Sequence, residues 1–279
     1  MTAIAELERR LDDFDAGRRR EALAELQRAV ERGEIALPEP GGDVNLHAHT
    51  FFSYNAYGYS PSKFAWLARK AGLAAAGIVD FDVLDGVDEF CEAGRLIGLK
   101  ACAGLESRVF APEFAALEIN SPGEPGVAYN MGVGFPRARP HPFLAEMRAA
   151  AQRRTLGVID RVNAYLDPVR LDFARDVRPL TPAGAATERH LCEAYERKAV
   201  ETFPDPARRA AFWRERLGDA PAQSAKLQGL IRARTMKQGG VGYVAPDRGA
   251  FPEMAKMNRF VAEAGAIPTV AWLDGMSEG

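Results

Sequence analysis

The segment Val44-Asn45-Leu46-His47-Ala48-His49-Thr50 places two of the chain's four histidines two residues apart, just after Gly41 and Gly42. In an extended strand, residues i and i+2 point to the same side. Both imidazoles of such a pair can reach one metal ion. Taken alone, His-x-His also describes two satisfied polar side chains. Two further segments change that reading. The apolar run Ala74-Ala75-Ala76-Gly77-Ile78-Val79 ends in Asp80-Phe81-Asp82, and Lys100-Ala101-Cys102-Ala103-Gly104-Leu105 ends in Glu106. Each places an acid at the end of a strand-like run, the edge where parallel α/β architectures build active sites. Two imidazoles with carboxylates suit divalent Zn, Mn or Fe better than Ca²⁺, which prefers all-oxygen sites. A bound ion of that kind lowers the pKa of its water toward neutrality.

These side chains need a scaffold that brings them together. Ser60-Pro61 opens a helix over 61–71, with Ser60 as N-cap, Pro61 in the first turn and Gly72 as the stop. The first strand covers 44–46, a second 74–79 and a third 100–105, with a helix over 87–96 between the last two, ending at Gly98. Strands and helices alternating at these lengths imply parallel strands with right-handed crossovers. A fourth strand is expected near 128–133, then a helix over 252–264 and a fifth strand over 267–272. Ahead of them, residues 3–32 read as two helices, with Ile4, Leu7, Leu11 and Phe14 on one face and Leu23, Leu26 and Val30 on another. The Arg18-Arg19-Arg20 run between them reads as a solvated turn. Segments 143–166, 182–203, 205–217 and 221–237 all read as helices. The expected organisation is an N-terminal helical arm and linker (1–40), a first barrel part (43–136), a helical insertion (137–250) and the barrel's continuation (251–279). Five parallel strands do not close a barrel, and the last exposes an unpaired edge. The barrel is therefore expected to be incomplete at the C-terminus.

With 47% apolar and 27% charged residues, the chain has the composition of a soluble globular protein. No run of eighteen apolar residues occurs, so no membrane span is expected. Glu6 and Glu8 near the start, without an apolar stretch, argue against a signal peptide. Cys91, Cys102 and Cys192 have no metal-type spacing and read as reduced thiols of a cytoplasmic protein. The net charge of -2 favours no partner, but its distribution is uneven. Between Arg137 and Lys256, 22 Lys and Arg face 14 Asp and Glu, a balance of +8.

Three motifs together carry a resemblance: His47-Ala48-His49-Thr50 with Ser53, Ile78-Val79-Asp80-Phe81-Asp82, and Gly104-Leu105-Glu106-Ser107. They resemble the polymerase-and-histidinol-phosphatase (PHP) superfamily over 44–135 and, more weakly, 264–272. The resemblance implies an α/β fold, a distorted (β/α) barrel of the PHP type, that binds divalent metals and hydrolyses phosphoesters. His47 and His49 match its first-strand ligands, Asp80 the acid of its second motif, and Glu106 its metal-bridging glutamate. Three positions depart from it. Phe81 stands where the family has a ligand histidine, Asn130 where a histidine often precedes an apolar-Leu-Gly stretch, and Trp272 where many members have Ala-His-Pro. One ion is supported, and imidazoles for a second are missing.

The expected metal ligands are His47, His49, Glu106 and Asp80. Asp80 either joins the ligands or orients a histidine from behind. Asp80, Glu106 and Arg108 are expected to serve catalysis. Arg108, two residues after Glu106, either clamps a phosphate or forms a plain surface ion pair. Tyr54 and Asn55, with Tyr57 and Tyr59, either line the substrate mouth or pack at a barrel rim. Asn130 and His141 complete the expected substrate contacts, although His141, between Pro140 and Pro142, also reads as a surface-loop histidine. His190 reads as a structural residue in a helix. The function expected is a metal-dependent hydrolase acting on a small-molecule phosphoester. Two other readings stay open: a barrel that binds a small ligand or single metal without turnover, and a scaffold whose basic insertion contacts nucleic acid or protein. Few aromatics interleave those basic residues, so a solvated face accounts for them and no nucleic-acid partner is expected.

Overall fold

The computed structural model describes residues 2–121, 123–244 and 251–271. The chain divides into two compact units, Met1–Ala145 with Pro252–Gly279, and Glu146–Phe251. The first is built on a five-stranded sheet in the order β1-β2-β3-β4-β5. Its strands are β1 Val44–Asn45, β2 Ala75–Phe81, β3 Lys100–Phe110, β4 Val127–Val133 and β5 Ile267–Val270. The sheet curls into half of a barrel, within a mixed α/β fold. Trp272, expected at the end of the fifth strand, lies outside the described residues.

Strands β1, β2 and β3 pair in parallel, as their alternation with helices requires. The expectation of parallel strands throughout fails at β4, which runs antiparallel to both β3 and β5. The reason lies in the connection. Between β3 and β4 the described chain holds one 3-10 turn, Pro112–Phe114, and no α-helix to carry it back across the sheet. Two antiparallel steps leave β5 running with β1, β2 and β3. The strand ends also move. β2 continues to Phe81, and β3 to Phe110, because β4 pairs with it from Gly104↔Val133 to Phe110↔Val127. Glu106 therefore sits inside a strand rather than at its end.

The helices, in chain order, are α1 Ala3–Arg10, α2 Ala16–Glu31, α3 Pro61–Lys70, α4 Val87–Ile97, α5 Pro142–Tyr165, α6 Glu188–Thr202, α7 Pro206–Leu217, α8 Ser224–Thr235 and α9 Met254–Glu263. The Ser60 hydroxyl accepts from the Lys63 amide at 2.9 Å, and Gly98 closes α4 in the left-handed region that glycine tolerates. Helix α9 packs closely on β4 at Gly132, where a Cβ would come within 2.7 Å of Val261. The arginine run of the N-terminal arm is not a solvated turn. Arg19 is buried and forks onto the Glu89 carboxylate of α4, while Arg18 pairs with Asp13 and Arg20 with Glu92. No local pattern announces Glu89, which lies 70 residues away.

The second unit is predominantly helical around its own apolar core. Ile159 and Val162 of α5, with Leu166 just past its end, meet Leu191 and Tyr195 of α6, Trp213 and Leu217 of α7, and Ile231 of α8. Asn163 bridges the backbone of Leu171 with two hydrogen bonds of 2.8 Å and accepts one from Tyr195. Among the described residues, no helix is long and apolar enough to cross a membrane.

Candidate metal centre

Past β1 the chain stays extended beside β2. The Val79 amide donates to the Ala48 carbonyl at 2.9 Å. His47 and His49 flank that carbonyl and turn their rings to the same side, as the i, i+2 spacing requires. Across the sheet, Phe81, Glu106 and Met131 lie side by side in register, so all three share a face. Glu106 Oε2 lies 3.2 Å from His47 Nε2 and 3.3 Å from His49 Nε2. One ligand atom from each of the three residues lies within 4.8 Å of the others.

Glu106 is 2% exposed and the His47 side chain 41% exposed, so the trio has a buried floor and an open side. Burial works against the charged form of Glu106, but the two imidazoles outweigh it and hold the carboxyl below its ordinary pKa. The hydrogen bond to Glu106 raises the pKa of His47, against the opposing effect of burial. The His49 ring stacks on Phe81, with centroids 4.5 Å apart and planes 13° from parallel. Its Nδ1 is buried and makes no hydrogen bond among the described residues. Two Nε2 atoms aimed at one carboxylate oxygen form a donor set that fits a divalent ion of the Zn, Mn or Fe kind.

Asp80 does not join this cluster, contrary to its expected place among the ligands. Because β2 runs through Phe81, the adjacent Asp80 falls on the opposite face. It is buried there and accepts from the Thr50 amide at 2.6 Å, the Thr50 hydroxyl at 2.6 Å and the Ser53 hydroxyl at 2.7 Å. Burial pushes its pKa up, and these three donors oppose the shift. Asp80 thus anchors the loop that follows His49. In the sequence, the only signal for this role of Thr50 and Ser53 is a pair of short hydroxyl residues three apart beside the histidine pair.

The other expected site residues separate. Asn55 organises its own loop: its Nδ2 donates to the His49 carbonyl at 2.9 Å, and its Oδ1 accepts from the Tyr57 amide at 2.9 Å and the Tyr59 amide at 3.3 Å. Tyr54 sits at φ 147°, a region side chains rarely adopt. Tyr57 and Tyr59 stack on each other. Asn130, expected among the substrate contacts, pairs in register with Ser107 and so faces away from Glu106, where its Nδ2 donates to Asn258 of α9 at 3.0 Å. His141 is also engaged elsewhere. Its Nδ1 accepts from the Phe143 amide at 3.1 Å, its ring packs on Phe260, and its Nε2 faces Glu263 at 3.6 Å. Arg108 shares the face of Glu106 and pairs with Glu124, its guanidinium lying over the Tyr129 ring. Asp82 accepts from the Ser107 hydroxyl at 2.6 Å, as a loop residue does.

No family model and no curated protein matches the sequence. Solved structures do match in fold. One is a protein from Bifidobacterium adolescentis assigned as a metal-dependent phosphoesterase, with TM-score 0.56 and 20% identity over 84% of this chain and 68% of that one. Another is an amidohydrolase from Chromobacterium violaceum, solved with sulfate and without metal, with TM-score 0.55 and 16% identity over 82% of this chain and 66% of that one. This chain thus spans about two thirds of the length of each. Both similar structures carry hydrolase names, and at these identities the likeness is one of fold.

Proposed function

We propose that the chain is a metal-dependent hydrolase of small-molecule phosphoesters, a divergent relative of the PHP superfamily. One divalent ion would be held by His47, His49 and Glu106. The observation that carries this reading is the meeting of two imidazole Nε2 atoms on one buried carboxylate oxygen. When bound, such an ion lowers the pKa of its water toward neutrality and polarises a phosphoryl oxygen. The chain's own residues do the rest. Glu106 supplies a negative charge that its burial and its two partners keep in place. Asp80, Thr50 and Ser53 hold the loop after His49, and hence the direction of its ring. Arg108 stands two residues along the same strand face, roughly 7 Å from Glu106 by strand rise. Its planar guanidinium matches two phosphate oxygens, and Glu124 would be its partner until substrate replaces it. That arginine favours a phosphoester over the amide bond named for the Chromobacterium protein.

One observation favours a second reading, binding without turnover. Phe81 covers a face of His49, so an imidazole is missing where a further ligand would stand. Metal titration with Mn²⁺ and Zn²⁺, followed by assay of an aryl phosphate, separates the two. The proposal expects saturable metal binding and turnover, with both lost in Glu106→Gln and His49→Ala. Metal binding without turnover selects the second reading. A protein that binds neither ion excludes both.

A further inference from the structure

The loop after His49 presents two aromatic rings to solvent. Tyr57 is 77% exposed, and its ring stacks on that of Tyr59 with centroids 5.2 Å apart and planes 22° from parallel. A ring that only fills a barrel rim is covered by its neighbours. With one face on Tyr59 and this exposure, Tyr57 keeps its second face open. Backbone hydrogen bonds fix the pair. Gly58 takes a left-handed φ of 72°, and this turn lays residues 57 and 59 over each other. Its amide donates to the Asn55 carbonyl at 2.9 Å, and the Tyr59 carbonyl accepts from the Phe51 amide at 2.8 Å. Asn55 Oδ1 accepts from both tyrosine amides. The same Asn55 side chain donates to the His49 carbonyl. Two hydrogen bonds of 2.9 Å, joined by the width of one amide group, put the Tyr57 amide within about 8.5 Å of that carbonyl. A single small ester can span that separation.

We propose that Tyr57, backed by Tyr59, determines specificity beside the candidate metal centre by stacking on a planar ring of the substrate, so that the phosphoester acted on carries an aromatic or nucleobase ring. This rests on the hydrolase reading above and names the substituent which that reading leaves open. An exposed aromatic face attracts another planar ring by offset stacking, and any unsaturated ring offers such a face, whereas a sugar or alkyl ester has none. The loop's hydrogen bonds set both rings before a ligand arrives, so little conformational freedom is lost on binding. Stacking needs the ring of Tyr57 and not its hydroxyl.

Two measurements on the full chain with Mn²⁺ test this. The first is calorimetric titration with benzylphosphonate and with methylphosphonate, whose P–C bonds resist hydrolysis. Benzylphosphonate should bind roughly threefold more tightly or better. The second is kcat/KM for benzyl phosphate against ethyl phosphate, and for AMP against ribose 5-phosphate, pairs with matched leaving groups. The ring-bearing member should be preferred. A preference confined to AMP identifies a nucleobase as the ring, and one confined to the benzyl compounds identifies a ring next to the ester. Tyr57→Ala should bring each ratio to within about twofold of unity, and Tyr57→Phe should keep it. Each ratio is taken within one variant, so a general loss of metal or of folded protein cancels. Equal handling of ringed and ringless compounds by the parent chain overturns the inference, as does a preference that survives in Tyr57→Ala. Turnover without a ring preference overturns it and leaves the hydrolase reading standing. Ring-selective binding without turnover supports the role of Tyr57 and moves the chain to the binding reading. If neither phosphonate binds and no ester is turned over, both fall.

Discussion

The carboxylate of Asp80 accepts two hydrogen bonds from Thr50, one from its amide and one from its hydroxyl, both at 2.6 Å. This relationship ties the end of β2 to the residue after His49, on the face of the sheet opposite Glu106. Asp80→Ala would leave the buried Thr50 amide without an acceptor, together with the Thr50 and Ser53 hydroxyls. Each buried donor so abandoned costs about 1–3 kcal/mol. The variant should unfold at lower urea concentration and, although no ligand is removed, bind metal roughly tenfold more weakly or worse. Unaltered metal affinity in a folded Asp80→Asn protein would show that the anchor does not govern His49.

Arg108 and Glu124 form a competing pair, so their variants should move substrate binding in opposite directions. If Arg108 grips a phosphate as proposed, Arg108→Ala should raise KM for an aryl phosphate more than it lowers kcat. Glu124→Gln removes the charge that pairs with Arg108 and should lower KM. If both variants act alike on kcat and KM, the pair is a structural brace.

Phe81 stacks on His49 from the same sheet face as Glu106, which makes Phe81→His a gain-of-ligand test. A third imidazole beside the trio should tighten Zn²⁺ or Mn²⁺ binding by roughly tenfold or more. Direct metal titration reads this out. An affinity no better than that of the parent chain would mean that position 81 cannot reach the ion.

The second unit should be acid-labile. His190 is buried near the start of α6, where its Nδ1 accepts from the Thr187 amide at 3.1 Å, a role open only to the unprotonated ring atom. Burial lowers its pKa from 6.5 to about 4. The unfolded chain therefore takes up the proton first, and folding stability falls as pH drops from 6.5 toward 4. The loss amounts to on the order of 3 kcal/mol. It should appear as a falling denaturation midpoint over that window and be blunted in His190→Gln. A flat profile would mean that the ring is already protonated in the folded state.

Much of the candidate metal centre was legible in the residues themselves. The shared direction of His47 and His49 follows from two-residue periodicity, and Glu106 stood out as an acid closing an apolar run. Helices α3 and α4 were readable from Ser60, Pro61 and Gly98, because capping is a matter of nearest neighbours. Tertiary structure decided what depends on distant partners. Whether Asp80 or Phe81 faces Glu106 turns on a single residue of strand register, since adjacent side chains alternate. β2 continues through Phe81, and that continuation places Asp80 on the face away from the His47, His49 and Glu106 cluster. The direction of β4 likewise followed from a connection without a helix, and it turned Asn130 toward Asn258 and away from the site. Arg19 found Glu89, and Arg108 found Glu124, through folds of the chain that no local period records. Short-range geometry set which residues are able to bind a metal. Hydrogen-bond pairing between strands far apart in sequence set which of them meet.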